Sequence, residues 1–460
     1  MLTYANNIQR WRLGAATLTL GLIGIFITFL PLKAQAVPSF ARQTGQNCVA
    51  CHAGGQFPEL TPYGRMFKLT GYTIGQRTMP LAVMGVAGVA KVANTTQTTA
   101  TGTDPNVNFY KNNTPVFAVG SLFAAGKITD NVGAFTQITY DNYAVDNGDN
   151  TFSGHTQVDN IDLRYANHLV DGKKDWVYGI SLNNNPSVSD PWNTAAAWMQ
   201  YVPVASVTSH QFTDANTPFP GFASGGNVAG ITAYGYWNKT LYAEAGLYRT
   251  ADNAFRFMSG GIDQSGITRL NGTNPYWRLA YTREWGPNNL MVGATGMLAH
   301  VFDPASPDAL GNPSDPSDSL AYNQYRNTGI DAQYQYILDP HTFTMQAAYM
   351  RSISDYSPYY IAANSPTSNT SNVFRAKASY IYQAKYGGSL AFFDQSGNFT
   401  DNPDTRGFTY EAFWMPQQNV RIGAQYTAYN IFNGAANNYD GLGRNASDNN
   451  TLYLYAWFAF

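Results

Sequence analysis

The sequence predicts an all-β chain: a transmembrane antiparallel β-barrel of about sixteen strands, preceded by a small N-terminal segment of different character. Three observations predict it. Charged residues make up only 12% of the 460, about half of the roughly 25% usual for a soluble domain, while aromatics reach 15%, with 32 Tyr and 26 Phe. Mean hydropathy is −0.28, too low for a helical membrane protein with repeated apolar runs of about 20 residues. From Pro80 onward, apolar and polar residues alternate with period two, as lipid outside and water inside demand of a barrel wall.

The chain begins with the single long apolar run. Arg10 and Arg12 precede Leu13 to Leu32, and Ala34-Gln35-Ala36 follows. A basic start, an apolar core and an Ala-x-Ala end read as a cleaved secretory signal over residues 1–36, with a mature chain opening at Val37. The run is also long enough for a permanent anchor helix. The cleavage site and the lack of any later apolar helix favour removal.

The only two cysteines lie in Cys48-Val49-Ala50-Cys51-His52, the Cys-x-x-Cys-His pattern of c-type haem attachment. The spacing has a chemical reason: two thiols must reach the two vinyl groups on one porphyrin edge, and the next residue brings an imidazole to the iron. One covalent haem c is therefore expected, on Cys48 and Cys51, with His52 as axial ligand. A disulfide, a redox dithiol and half of a zinc site are the alternatives. Zinc would need further Cys or His nearby, and none lies between His52 and His155. For the second axial position the downstream sulfurs are Met66, Met79 and Met84. Met79, next to Pro80 at the end of the segment, is preferred, with Met66 next; a group other than Met or His stays open. His155, His168, His210, His300 and His341 read as loop, turn or strand residues.

The strands follow. Ile330-Asp331-Ala332-Gln333-Tyr334-Gln335-Tyr336 puts Ile, Ala and two Tyr on one face and Asp and two Gln on the other. Phe374 to Tyr380 and Val420 to Tyr426 repeat the pattern. Runs at 80–92, 115–127, 132–142, 157–166, 174–184, 229–238, 240–249 and 275–285 give eight strands. Runs at 289–300, 328–338, 341–351, 371–382, 388–395, 405–415, 419–429 and 450–460 give eight more. Connectors alternate between short turns and long loops, the asymmetry of an outer-membrane barrel. The longest, about 185–228, carries Asp190-Pro191-Trp192 as a helix start, and either an external loop or a fold into the lumen suits it. No catalytic triad or nucleotide-binding loop appears, and a net charge of −2 gives no support for nucleic-acid binding.

Domain organisation is thus a signal over 1–36, a monohaem cytochrome c-like segment over 37–79 and a porin-like barrel over 80–460. The middle segment is too short for a large core of its own. With almost no linker before the first strand, it is expected in the barrel mouth or lumen, which sixteen strands make wide enough.

Val37 to Gly45, then Cys48 to His52, then Phe57-Pro58-Glu59-Leu60-Thr61-Pro62-Tyr63-Gly64-Arg65, then Phe67 to Tyr72 resemble the fused monohaem cytochrome–porins, the outer-membrane cytochromes of iron-oxidising bacteria. Over the barrel the resemblance is architectural. It implies a Gram-negative outer-membrane protein that oxidises Fe(II) at the cell surface and passes electrons to a periplasmic soluble cytochrome, an Fe(II):cytochrome c oxidoreductase-like activity. It also implies that Cys48 and Cys51 hold the haem and His52 ligates it, and leaves the distal ligand unassigned.

Read physically, Phe40, Phe57, Tyr63 and Phe67 are candidates to line the macrocycle, and Arg42, Arg65 and Lys68 to pair with its propionates or with acidic lumen groups. Generic packing and solvated charge are the alternatives. There are 25 Asp and only four Glu, with Asp146, Asp149, Asp303, Asp308, Asp315, Asp318, Asp401 and Asp404 in long connectors. Such oxygen-rich loops suit a hard cation such as Fe(II), though Asp is also a common turn residue. Two rival functions remain: a porin for solute diffusion with a tethered cytochrome, and an electron conduit with another donor or the outward direction.

Overall fold

The computed structural model describes residues 38–55, 59–94, 112–146, 152–192, 228–259, 270–302, 322–357, 367–398 and 404–460. The expected signal over 1–36, Phe57 and most of the loop aspartates lie outside these residues. Sixteen antiparallel strands close into one barrel, each paired with its sequence neighbours and the last with the first. In order they are β1 Leu81–Val92, β2 Pro115–Lys127, β3 Val132–Asp146, β4 Phe152–Asp171, β5 Lys174–Asn183, β6 Val228–Trp237, β7 Leu241–Thr250 and β8 Asn274–Trp285. The second half is β9 Asn288–Phe302, β10 Tyr322–Leu338, β11 His341–Asp355, β12 Ser368–Tyr382, β13 Tyr386–Gly397, β14 Thr405–Gln417, β15 Val420–Ile431 and β16 Thr451–Ala459. Closure leaves no sheet edge, which is what a bilayer requires of a β-structure. Phe460 completes the seam, exchanging backbone hydrogen bonds with Val83 at 2.7 and 2.8 Å.

The alternation read from the sequence is realised in the wall. Ile330 is 61% exposed on the outer face, while Gln333 and Gln335 on the inner face are fully buried. Leu279, Leu390, Trp414, Ile422 and Leu454 likewise point outward, giving a continuous apolar exterior that only lipid satisfies. The last strand departs from the simple rule. Tyr453, Tyr455 and Trp457 face inward and pack with Met84 and Val86; with every residue of the strand apolar except Thr451, its faces are not distinguishable from sequence.

Strand existence and number match the expectation, and the differences fall mainly at the long-loop ends. β10 begins at Tyr322 instead of 328, β11 runs to Asp355 and β4 begins at Phe152. The outward positions there turn polar, as at Gln324 and Arg326, yet the ladder continues through Gln324↔Asp355 and Arg326↔Ile353. Hydrophobic alternation marks only the stretch in lipid, whereas pairing persists as long as two backbones stay adjacent.

Candidate functional site

Residues 38–55 and 59–80 include three short helices: α1 Ser39–Thr44, α2 Cys48–Cys51 and α3 Pro62–Leu69. Local sequence sets each end. Gly45, with φ of 67°, ends α1 in the left-handed region, as helix C-termini commonly do. Thr61 caps α3 by accepting from Gly64 N at 3.1 Å, and Pro62 occupies the first turn, where its missing N–H costs nothing. Between α2 and α3 the chain doubles back. His52 bridges Leu60, Ala53 N donates to Glu59 O and Thr61 N to Cys51 O, both at 2.9 Å, and the Thr61 hydroxyl donates to Ala50 O at 2.5 Å. Gly64 lies so close that an added Cβ would stand 2.1 Å from the Cys51 carbonyl oxygen.

This segment touches the wall on many sides. Gln43 Oε1 accepts from Lys127 N of β2 at 2.8 Å. Tyr72 OH donates to Asp162 of β4 at 2.5 Å, and Tyr234 OH of β6 donates to Leu69 O at 2.6 Å. Arg65 donates to Asn289 of β9 at 2.5 Å and to Gln333 and Gln335 of β10 at 3.2 and 3.0 Å. Glu59 pairs with Lys377 of β12 at 2.5 Å. The segment thus makes hydrogen bonds or ion pairs with β2, β4, β6, β9, β10 and β12 of the closed ring. Its contacts fall towards the end of the barrel that carries the short turns, since Lys127, Asn289 and Ile381 all lie next to such turns.

Both cysteines are unbridged and half-buried. Three residues apart in one helical turn, they share a face. Burial pushes both thiols up, Cys51 to about 11 with the Cys48 charge adding to the effect. A redox dithiol needs a depressed pKa, so this environment argues against that alternative. His52 is pushed the other way: burial lowers it to about 4, only partly countered by Glu59. Its imidazole is therefore neutral at ordinary pH, the form in which histidine binds a metal. Paired unbridged thiols on one helical face, followed at once by a neutral imidazole, fit the donor set of a covalent haem.

The structure separates the other candidates by what they touch. Phe40 stacks on Tyr72 at 5.4 Å and meets Phe67 edge-on at 4.8 Å; these rings pack on each other and on Phe135 of β3. Arg65 is engaged by the wall and by Leu60 O at 2.7 Å. Lys68 Nζ donates to Asp190 O at 2.8 Å, and Arg42 donates to the carbonyls of Met79 and Leu81. These cations fasten the segment to its surroundings. Tyr63 is partly exposed on α3, Met79 is 64% exposed, and Met84 belongs to the wall cluster of β1 and β16. Met66 packs against the buried cluster that includes Leu69, Trp192 and Tyr236. A cavity of about 210 Å³ lies between Tyr63, Arg65, Met66, Trp192, Lys239 and Glu284. It is smaller than the roughly 300–1,000 Å³ of ordinary ligand pockets, and neither cysteine borders it, so the haem fit rests on the donor set.

For the longest connector, where the sequence left an external loop and a fold into the lumen open, the described part takes the inward course. Residues 184–192 of the longest connector turn into the barrel, with a short helix α4 at Pro186–Ser189. Trp192 is fully buried there against Tyr236 and Tyr242. The helix start expected at Asp190 and Pro191 leads into residues outside those described. Sequence reasoning gave no role to Glu59, Gly64, Lys377 or the buried pair Arg164–Asp162 at 2.6 Å; for the strand residues, charges on inward positions were the available signal.

Neither a protein-family model nor a curated protein sequence matches the chain. Among solved structures, Salmonella typhi OmpF in complex with daunomycin is similar at 12% identity, covering 83% of this chain and 97% of that one, with a TM-score of 0.47. The anion-selective porin from Comamonas acidovorans is 12% identical over 83% of this chain and 98% of its own, with a TM-score of 0.42. The outer-membrane channel DcaP of Acinetobacter baumannii is 11% identical over 83% and 96%, also at 0.42.

Proposed function

We propose that this chain is an outer-membrane electron-transfer protein of a Gram-negative bacterium, carrying one covalent haem c. The observation that supports the reading is the pair of unbridged thiols Cys48 and Cys51 on one turn of α2, followed at once by the half-buried imidazole of His52, in a segment bonded to the wall of a barrel with a lipid-compatible exterior. When bound, the haem supplies a one-electron iron couple. Cys48 and Cys51 would hold it by thioethers and His52 would ligate its iron. The chain's own work is placement. Thr61 and Gly64 clamp the α2–α3 turn, Arg65 and Glu59 fix the segment to the wall, and Lys68 fixes it to the connector after β5. The surrounding burial excludes water and lowers the dielectric, which helps to set a redox potential.

In this reading the short-turn end faces the periplasm, the segment occupies the barrel at that mouth, and a soluble periplasmic cytochrome accepts the electron. The donor is Fe(II) at the cell surface, consistent with the resemblance to the fused cytochrome–porins. Keeping Fe(II) outside keeps insoluble ferric product out of the periplasm. The test is to mix the oxidised, detergent-purified protein with Fe(II) without oxygen and follow the haem spectrum. Reduction is expected; a haem that stays oxidised wherever Fe(II) is soluble overturns the iron-oxidase reading. Covalent haem that persists unchanged in Cys48→Ala overturns the attachment.

A sixteen-stranded ring is also of channel width, which favours a second reading, a solute porin with a tethered cytochrome. Large open currents through the haem-loaded protein in planar bilayers would decide for diffusion. Small or absent currents, as a segment braced across the ring predicts, would decide against it.

A further inference from the structure

The inner face of β11 carries Gln346, which is 1% exposed and whose side-chain oxygen and nitrogen are both buried without a hydrogen-bond partner. Leaving a buried polar group unmet costs about 1–3 kcal/mol, so a native chain that keeps one invites an explanation. Its position supplies one. In the sheet register Gln346 stands opposite Gln333 of β10 on one side and Lys377 of β12 on the other, at cross-strand Cβ separations of about 4.5–5.5 Å. Those two neighbours are among the points where the N-terminal segment is fastened: Gln333 to Arg65 at 3.2 Å and Lys377 to Glu59 at 2.5 Å. Residues 59–65 therefore pass across Gln346, and His52 is bridged to Leu60 within that stretch. The turn after His52 meets the same part of the wall, with Gly54 against Ile381 of β12.

We propose that Gln346 is a positioning residue for His52: its amide oxygen accepts the N–H of the ring nitrogen that does not bind iron. A metal-bound histidine almost always donates its other ring N–H to such a partner, which fixes ring orientation and raises the basicity of the ligating nitrogen. The barrel wall then contributes to the electronic setting of the haem site. This inference rests on the haem reading given above.

The experiment uses the full-length, haem-loaded protein in detergent, with wild type, Gln346→Leu and Gln346→Glu compared by spectroelectrochemistry and by the iron–histidine stretching frequency. Leu removes the acceptor, so His52 donates less to ferric iron. The equilibrium constant for haem reduction is expected to rise about tenfold, about 59 mV for one electron, and the stretch to fall. Glu supplies a stronger acceptor and moves both in the opposite direction, a signature that loss of packing alone does not produce. Wild-type potentials and stretches in both haem-loaded variants overturn the role of Gln346 and leave the haem reading standing. Absence of covalent haem from the wild type overturns the haem reading itself, and this inference with it. Should Gln346→Leu not assemble, Gln346→Glu decides alone, and a value equal to wild type overturns the proposal.

Discussion

Glu59 and Lys377 are separated by more than three hundred residues and meet at 2.5 Å, both side chains nearly withdrawn from water. One belongs to the turn beside His52 and the other to the inner face of β12, so the pair joins segment and wall by opposite charges. Removing one partner of a buried pair costs about 3–5 kcal/mol, most of it for the charge left behind. Lys377→Met is expected to loosen the segment and expose it to protease. Glu59→Gln combined with Lys377→Met should restore most of the protection, because no charge is stranded. A Lys377→Met protein as protected as wild type would remove the pair from the account.

Gly64→Ala tests the clamp. The new methyl would stand 2.1 Å from the Cys51 carbonyl oxygen, and a backbone atom cannot rotate away as a side-chain tip can. Overpacking of this kind costs about 1–3 kcal/mol, paid at the residue that carries the second thiol. The ratio of covalent haem to folded barrel, read by haem stain against protein stain, is expected to fall. An unchanged ratio contradicts the clamp.

The segment should become more stable as pH rises from about 8 towards 10. Lys68 is pushed down to about 8 by burial, with nearby Arg164 adding to the effect, from an ordinary value near 10.5. Between those values the unfolded lysine binds a proton that the folded one does not, so stability grows with pH across that window and the cost of burial is fully present below it. The complete shift corresponds to about 3 kcal/mol. Above about pH 10 Tyr72, held well above its ordinary value by burial beside Asp162, reverses the trend. Protease protection measured from pH 7 to 10 should rise in wild type and stay flat in Lys68→Met. An equal rise in both assigns it elsewhere.

The two faces of β10 should respond oppositely to charge. Ile330 points outward and Gln333 inward. Ile330→Arg places a cation on the lipid face, at a cost of up to about 2–4 kcal/mol near the bilayer midplane, and should lower refolding yield in lipid vesicles. Gln333→Leu should leave barrel refolding intact and instead release Arg65 and the segment, seen as protease sensitivity. Equal refolding of both variants would contradict the assignment of faces.

Strand number was legible because a barrel wall is a local pattern. Ile330 and Gln333 differ in face by an odd offset, and the sequence shows that directly. The thiols and imidazole of Cys48, Cys51 and His52 were legible for the same reason, as one contiguous spacing. What was not legible is every relation between distant residues. Nothing local to Arg65 says that its guanidinium ends on Asn289 and Gln333, so it was read as a haem-propionate candidate. Nothing local to Trp192 decides between the external loop and the inward fold that its sequence left open. Met79 was preferred by its place in the chain, and its exposure is a property that only the fold shows.

Gln333 spends both ends of one amide. Its oxygen takes Arg65 of the segment and its nitrogen gives to Trp192 O of the inward-turning loop. The group cannot flip without losing two bonds at once. Loop, wall and cysteine-bearing segment therefore meet at one amide, so a substitution at Gln333 bears at once on the connector after β5 and on the helix beside Cys51.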